Sequence, residues 1–284
     1  MAFLFYFDQM NYVIQNGKLI ERQNAVLSIE DHSYRYGDGL FETIKIVDGN
    51  IRFAEDHFER LFNGMYLLKF QVPILFSKHS LANEIIDLCD KNNCKNHARI
   101  RISISRGRGG LYDCDDQFSY LIECWGLEKY NHEMNENGLI IDIFPDANKS
   151  CDKFSNLKSA SYLPYVVAAV WAKENKLNDA LILNQHLRIC DATIANVFCV
   201  KDGVISTPPL AEGCVAGVLR KKILDLKIQN PVFNVLESVI TEKELFDADE
   251  VFLTNVISGI RWVSSCRNKK YSNKISSKIF SELL

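Results

Sequence analysis

FSNLKSASYLPYVVAAVWA (residues 154–172) places one lysine, Lys158, ahead of an apolar run in which Leu163, Val166, Val167, Val170 and Trp171 recur at helical spacing. The pattern predicts a helix opening shortly after Lys158. Downstream, RICDATIANVF (188–198) brings a carboxylate, Asp191, and Gly217-Val218-Leu219-Arg220 forms a glycine turn that starts another helix. An amine, an acid and a helix start are the parts of a site that condenses with an aldehyde, protonates a ring nitrogen and holds a phosphate. Singly each is ordinary: a lysine before a helix is normally surface chemistry, and an aspartate after a strand is a common turn residue.

Composition sets the frame. A chain of 284 residues, 47% hydrophobic and 24% charged, is long for one domain and comfortable for two. The net charge of −3 and a pI near 6.1 give no overall attraction to nucleic acid. Nine cysteines without a Cys-x-x-Cys pair suit neither a disulfide framework nor a zinc site, and most read as small core residues of a protein kept in a reducing cytoplasm. The start MAFLFYFDQM is too short, lacks a basic opening and meets Asp8 too early for a signal peptide, and no segment has the roughly 18–20 apolar residues of a membrane span. The expectation is a cytoplasmic protein with no membrane or nucleic-acid partner.

The first fifty residues read as hairpins about Asn16-Gly17 and Asp48-Gly49-Asn50. Between them SYRYGDGLFET (33–43) reads as a glycine turn before a strand. Ala54–Phe70 shows Phe58, Leu61, Phe62, Met65 and Leu68 on one helical face, with Arg60 at its border. A helix over Leu81–Cys89 and a strand over Arg99–Ser105 follow, the strand ending in SRGRGG (105–110), where Arg106 and Arg108 form a basic corner suited to a carboxylate. After strand Phe118–Cys124 the chain turns polar. That shift predicts a linker, 126–137, between an N-terminal α/β domain (1–125) and a C-terminal domain (138–284). Strands are expected at 139–144, 180–183, 196–201, 204–206, 232–236 and 250–254. Helices are expected after Lys158, over 217–226, from the capping box Thr241-x-x-Glu244, and over 275–284. Strands and helices interleave throughout, so the fold class is mixed α/β.

In this order the motifs resemble the fold-type IV (class IV) pyridoxal phosphate-dependent aminotransferase/lyase family, over about residues 16–263. Its members include branched-chain aminotransferase, D-amino acid aminotransferase and 4-amino-4-deoxychorismate lyase. HFERL (57–61) resembles the helix motif whose arginine binds the phosphate, here Arg60. LKSASYL (157–163) resembles the lysine motif, giving Lys158. DATIANVF (191–198) matches the segment whose acid faces the ring nitrogen, with Asp191 in place of the usual glutamate. GVLR (217–220) resembles the phosphate turn, with Gly217, Val218 and Leu219 supplying backbone donors and Val215 against the ring. TNVISGIRWV (254–263) resembles the late loop that adds Asn255 and Val256. Two family threonines are Leu219 and Val256 here, so two hydroxyl donors are lost.

The resemblance also implies a two-domain fold with a barrel-like C-terminal domain, pyridoxal 5′-phosphate in the interdomain cleft, and a homodimer acting on a small amine or amino acid. It assigns the substrate to Tyr36, Arg106 and Arg108. Within the family, Thr43 in Phe41-Glu42-Thr43 resembles the lyase, whose threonine assists the lysine, and SRGRGG resembles the lyase corner. Leu111-Tyr112-Asp113 lacks the Arg-x-His trap of D-amino acid aminotransferase. The sequence therefore favours 4-amino-4-deoxychorismate lyase, releasing pyruvate and 4-aminobenzoate. Amino-acid transamination is the alternative, and cofactor binding without turnover a third reading.

Overall fold

Asn16-Gly17, Asp48-Gly49 and Asp202-Gly203 close three tight hairpins, and all six residues take positive φ, the backbone that matches the twist of paired strands. The computed structural model describes residues 10–114, 118–127 and 133–283. The start of the chain, part of the expected linker and the last residue lie outside them. The chain divides into two units, Met1–Asn131 with Lys158–Ser161, and His132–Leu157 with Tyr162–Leu284. Lys158 and its three followers thus belong with the N-terminal unit, although both flanks belong to the other.

The first unit is an antiparallel six-stranded sheet of order β2-β1-β6-β5-β3-β4. Its strands are β1 (Tyr12–Gln15), β2 (Lys18–Glu21), β3 (Gly39–Val47), β4 (Asn50–Ile51), β5 (His97–Ser105) and β6 (Ser119–Gly126). The long central strands alternate with period two. Ile44 and Ile46 of β3, Ala98, Ile100, Ile102 and Ile104 of β5, and Ile122 and Cys124 of β6 are buried. Against this face pack α2 (Ala54–Leu67), through Phe58, Leu61 and Met65, and α3 (Lys78–Lys91), through Leu81, Ile85 and Leu88. The register places Phe41, Thr43 and Lys45 opposite Ser103, Arg101 and Arg99. Those residues occupy the other face of the sheet, as strand geometry requires. The glycine turn before β3 holds a short helix that sequence reading passed over, α1 (His32–Tyr36), capped by the Asp31 carboxylate and ended by Gly37 at φ 67°.

The second unit is built on a nine-stranded sheet. In chain order its strands are β7 (Leu139–Lys149), β8 (Asp179–Asn184), β9 (Ile189–Ala192), β10 (Asn196–Lys201), β11 (Val204–Thr207), β12 (Asn234–Glu237), β13 (Glu250–Asn255), β14 (Gly259–Cys266) and β15 (Lys269–Lys270). The path runs β12-β11-β10-β13-β14-β7-β8-β9. At its end β9 returns beside β10, where the Ala192 amide donates to the Ala195 carbonyl at 2.8 Å. The sheet therefore curls around one core: Ile141, Ile143, Leu181, Ile189, Val197, Cys199, Val251, Leu253 and Val263 come from six different strands and meet in it. This is the barrel-like mixed α/β architecture that the resemblance implies. Strand β14 begins within the expected late loop (254–263) and was not anticipated, because only two apolar residues of Gly259–Val263 share one face.

Helix α4 (Leu163–Glu174) forms after Lys158 as expected, but its apolar stripe is turned outward. Tyr165, Ala168 and Ala172 are buried against β7 and β8 with Phe144, Ala180 and Ile182, whereas Leu163, Val166 and Val170 are 70%, 51% and 52% exposed. Small residues let the helix lie close to the sheet, and the large aliphatic ones remain on the far side. The remaining helices are α5 (Val218–Gln229), α6 (Glu242–Asp247) and α7 (Lys274–Leu283). Among the described residues no helix is long and apolar enough to cross a membrane.

Candidate active site

In the first unit the lysine stretch joins β3 as a short added strand. The Phe41 amide donates to the Lys158 carbonyl at 2.9 Å, and the Ala160 amide to the Gly39 carbonyl at 2.8 Å. That pairing fixes where Lys158 points: its Nζ lies 4.4 Å from the centre of the Phe41 ring. The Arg101 guanidinium stands over the same ring at 4.1 Å, and its register partner is Thr43. Lys158, Arg101 and Thr43 thus gather around Phe41 on one face. Lys45 and Arg99 continue that face along the next row, and Glu123, opposite Arg101 on β6, offsets one of the positive charges. Arg101 was not singled out by sequence. The available signal was Arg99-x-Arg101 in the outward phase of a strand whose inward phase is Ile100, Ile102 and Ile104.

Strand alternation sends Glu42 to the opposite, helix-covered face, where it is 1% exposed. Arg60 grips it with two hydrogen bonds, Nε to Oε1 and Nη2 to Oε2, each 2.7 Å, and His57 Nδ1 lies 2.8 Å from Oε2. Burial alone would raise the carboxyl. The Arg60 charge and the hydrogen bonds of His57 and Arg60 outweigh it and bring the pKa from 4.5 to about 2. Arg60, expected from its motif to hold a phosphate, is therefore held in place by a bidentate anchor on β3.

The basic corner is differently employed. Arg106 donates through Nε and Nη2 to Asp38 at 2.7 and 3.2 Å, through Nη2 to the Leu68 carbonyl at 2.8 Å, and through Nη1 to the Lys69 carbonyl at 3.3 Å. Burial pushes the Asp38 carboxyl up, but the hydrogen bond and charge of Arg106, with help from His32, hold it below its ordinary range. With all three guanidinium nitrogens bonded to protein, Arg106 fastens the loop rather than presenting itself to a substrate. Arg108 is exposed and its backbone bridges Asp31. Tyr36 is half-exposed at the end of α1, edge-on to His32.

In the second unit the acid is Asp191 on β9, 1% exposed. Its Oδ2 accepts from Lys149 Nζ at 3.0 Å, Tyr165 Oη at 2.8 Å and the Val215 amide at 3.0 Å, and its Oδ1 accepts from Asn196 Nδ2 at 3.0 Å. Lys149 also donates to Tyr165. Burial, then the Asp191 charge, push the Tyr165 phenol far up, so it stays protonated and donates. Lys149 ends β7 with no local motif to mark it, and sequence reading missed it together with Tyr165 and Asn196.

The glycine turn adjoins this cluster. Asn196 Nδ2 also donates to the Val215 carbonyl at 2.8 Å, and a Cβ on Gly217 would fall 1.9 Å from Asn196 Oδ1, so any larger residue would displace the Asn196 side chain. Gly217 begins α5 without any side-chain cap, leaving the backbone donors of a helix start to be met from outside the helix. Val218 and Leu219 are 3% and 2% exposed, so their side chains pack inward. On β13, Thr254 pairs in register with Asn196, and its buried hydroxyl has no hydrogen-bond partner among the described residues. Asn255 Oδ1 accepts from the amides of Ile257 and Ser258, shaping the turn that contains Val256.

These residues fit a phosphorylated pyridine aldehyde. The uncapped helix start and the unpartnered Thr254 hydroxyl suit a phosphate. Asp191 Oδ1 carries one donor and retains lone-pair capacity for a second, as a protonated ring nitrogen requires. Lys158, described within the first unit, is an amine of the kind that condenses with such an aldehyde.

The comparisons agree with this reading. The family model described as amino-transferase class IV matches residues 39–266. A D-alanine aminotransferase of Bacillus licheniformis is 28% identical over 257 residues, covering 89% of this chain and 87% of that protein. An aminodeoxychorismate lyase of Vibrio harveyi is 29% identical over 238 residues, covering 82% and 85%. The branched-chain amino acid aminotransferase structure of Escherichia coli superposes with a TM-score of 0.86 at 23% identity, covering 96% of this chain and 93% of that one, and so shares the fold.

Two measurements test these clusters. Glu42, depressed from 4.5 to about 2, adds stability that is complete above pH 4.5 and is lost as pH falls toward 2, a contribution of roughly 3 kcal/mol. Glu42→Gln is expected to flatten the decline of the urea midpoint below pH 4.5; an unchanged slope would place the acid sensitivity elsewhere. Lys149→Met leaves Asp191 buried without its cation and is expected to destabilise the protein by about 3–5 kcal/mol. The double variant Lys149→Met/Asp191→Asn should recover part of that loss in the same denaturation assay.

Proposed function

The chain belongs to the class IV amino-transferase family and is a pyridoxal 5′-phosphate-dependent enzyme, and we propose that its reaction is that of a 4-amino-4-deoxychorismate lyase. One observation carries the choice: Thr43 lies beside Arg101 on the same β3–β5 face as Phe41, over which Lys158 is held. When bound, the cofactor supplies an electron-poor pyridinium ring that takes up the electron pair left at the substrate carbon. The rest is the work of the chain. Lys158 Nζ is the amine that would hold the cofactor through its aldehyde, and it would take the proton from the substrate ring. Thr43 Oγ1 assists that proton transfer. Asp191, ionised and fixed by Lys149, Tyr165 and Asn196, keeps the ring nitrogen protonated. The start of α5, Arg60 and the Asn255–Val256 turn hold the phosphate.

Arg101 replaces Arg106 as the substrate arginine in this reading. Aminodeoxychorismate carries two carboxylates, and a face bearing Arg99 and Arg101, with Glu123 opposite Arg101, suits a dianion better than a neutral side chain. Amino-group transfer between an amino acid and a 2-oxo acid is the second reading, supported by the similarity to the D-alanine aminotransferase. We place the enzyme in the cytoplasm as a homodimer, the outward stripe of Leu163, Val166 and Val170 on α4 being the self-associating surface.

Incubation of the holoenzyme with aminodeoxychorismate is expected to release pyruvate and 4-aminobenzoate. Arg101→Leu should raise KM at least tenfold with a smaller change in kcat. Conversion of the bound cofactor to its amine form by amino acids, without release of 4-aminobenzoate, would establish the transaminase instead. Val166→Glu/Val170→Glu is expected to turn a dimer into a monomer in light scattering; a mass unchanged by the substitutions would remove α4 from the interface.

A further inference from the structure

Three buried thiols converge at the end of α3, apart from the residues of the candidate active site. Cys89 lies on the inner face of the helix, Cys94 follows the Asn92-Asn93 turn, and Cys124 comes from the buried face of β6. Their sulfurs all lie within 4.8 Å of one another, and those of Cys94 and Cys124 are 3.6 Å apart. Cys89 and Cys124 are fully buried, and Cys94 is 9% exposed, which gives the cluster its way in. The backbone explains the meeting. Asn92 ends the helix, Asn93 takes φ 56°, and the Cys94 amide donates to the Cys89 carbonyl at 2.9 Å, folding the second thiol back onto the first.

We propose that Cys89, Cys94 and Cys124 form a three-thiolate binding site for a soft, closed-shell divalent cation of the zinc and cadmium type. A metal–sulfur bond of about 2.3 Å puts the ligand sulfurs of a trigonal site about 4 Å apart, inside the range these sulfurs already span. Soft thiolates select such cations over calcium or magnesium, and among the described residues no imidazole or carboxylate joins the group. Binding exchanges three S–H protons for one M²⁺, leaves a single negative charge, and changes no oxidation state. Asn92 meets that charge: its Nδ2 donates to Cys124 Sγ at 3.1 Å. The side chain itself is fixed, with Oδ1 accepting from the amides of Asn11 and Tyr12 at 2.9 and 3.0 Å, so it acts as an outer partner that orients a ligand. Sequence spacing had read these cysteines as core residues, because Cys124 is brought to the other two only by the pairing of β6.

The test is a Cd²⁺ titration of reduced, metal-stripped holoenzyme, followed by the ultraviolet sulfur-to-cadmium charge-transfer band and by proton release. One equivalent is expected to bind, to develop the band and to release three protons at a pH where all three thiols begin protonated. Cys94→Ala and Cys124→Ala should each abolish the band, while Cys151→Ala, outside the cluster, should retain it. Far-ultraviolet circular dichroism and the visible cofactor band establish that each variant is folded; if the Cys124 variant is not, the less buried Cys94 variant decides. Absence of the band in the parent protein, or its persistence in folded Cys94→Ala, would overturn the proposal. Neither result bears on the reaction proposed above.

Discussion

A carboxylate carried into a protein interior loses its water and must be met there by donors, or it takes up a proton. Glu42 in the first unit and Asp191 in the second are such carboxylates, and each lies at a point where distant parts of the chain converge. Glu42, on a central strand, is met by His57 and Arg60 from α2. Asp191, on β9, is met by the end of β7, the inner face of α4, the start of β10 and the backbone before α5. Satisfying these groups fixes more than their own charge. It sets the rotamer of Arg60 and the position of Gly217 against Asn196, and these are the parts assigned to the phosphate.

The period of a strand explains how structure and chemistry share β3. Successive side chains point to opposite faces, so Glu42, Ile44 and Ile46 go to the helix-covered core while Phe41, Thr43 and Lys45 go to the other side. A single-residue slip would exchange the anchor of Arg60 for Thr43 and place Phe41 in the core. The ladder from Lys158–Ala160 to Gly39–Phe41 imposes the same alternation on the lysine. The position of Lys158 is therefore a property of β3 as much as of its own flanks, which explains why four residues of this stretch leave the second unit to pair with the first.

Much of this was legible in the sequence. The Asn-Gly and Asp-Gly hairpins and the capping box at Thr241 are local and appear as read, because turn and cap chemistry is decided within a few residues. The order of Lys158, Asp191 and Gly217 identified the family. What was not legible depends on side chains meeting across the fold. Lys149 has no motif, and its importance arises only when β7 and β9 bring it to Asp191. Arg106 lies in a recognisable corner, yet α1 delivers Asp38 to it and the end of α2 delivers two carbonyls, leaving Arg101 beside Lys158. The sequence could place arginines near a carboxylate site, but not choose among them.

Helix α4 shows how a correct helix assignment can leave the wrong face inside. Its large aliphatic residues recur with helical period, and hydrophobicity alone would turn them to the core. Packing density opposes that: a helix lying on the β7–β8 surface approaches closely only through small side chains, and Ala168 and Ala172 provide that contact. Tyr165 is the large residue buried on this face, with Trp171 packed partly buried against Phe144, and the Tyr165 hydroxyl is satisfied by donating to Asp191. Had the valines packed inward instead, Tyr165 would turn away and Asp191 would lose a donor. The buried Asp191 carboxylate thus favours the side of α4 that faces the sheet, and the large aliphatic residues Leu163, Val166 and Val170 are left exposed.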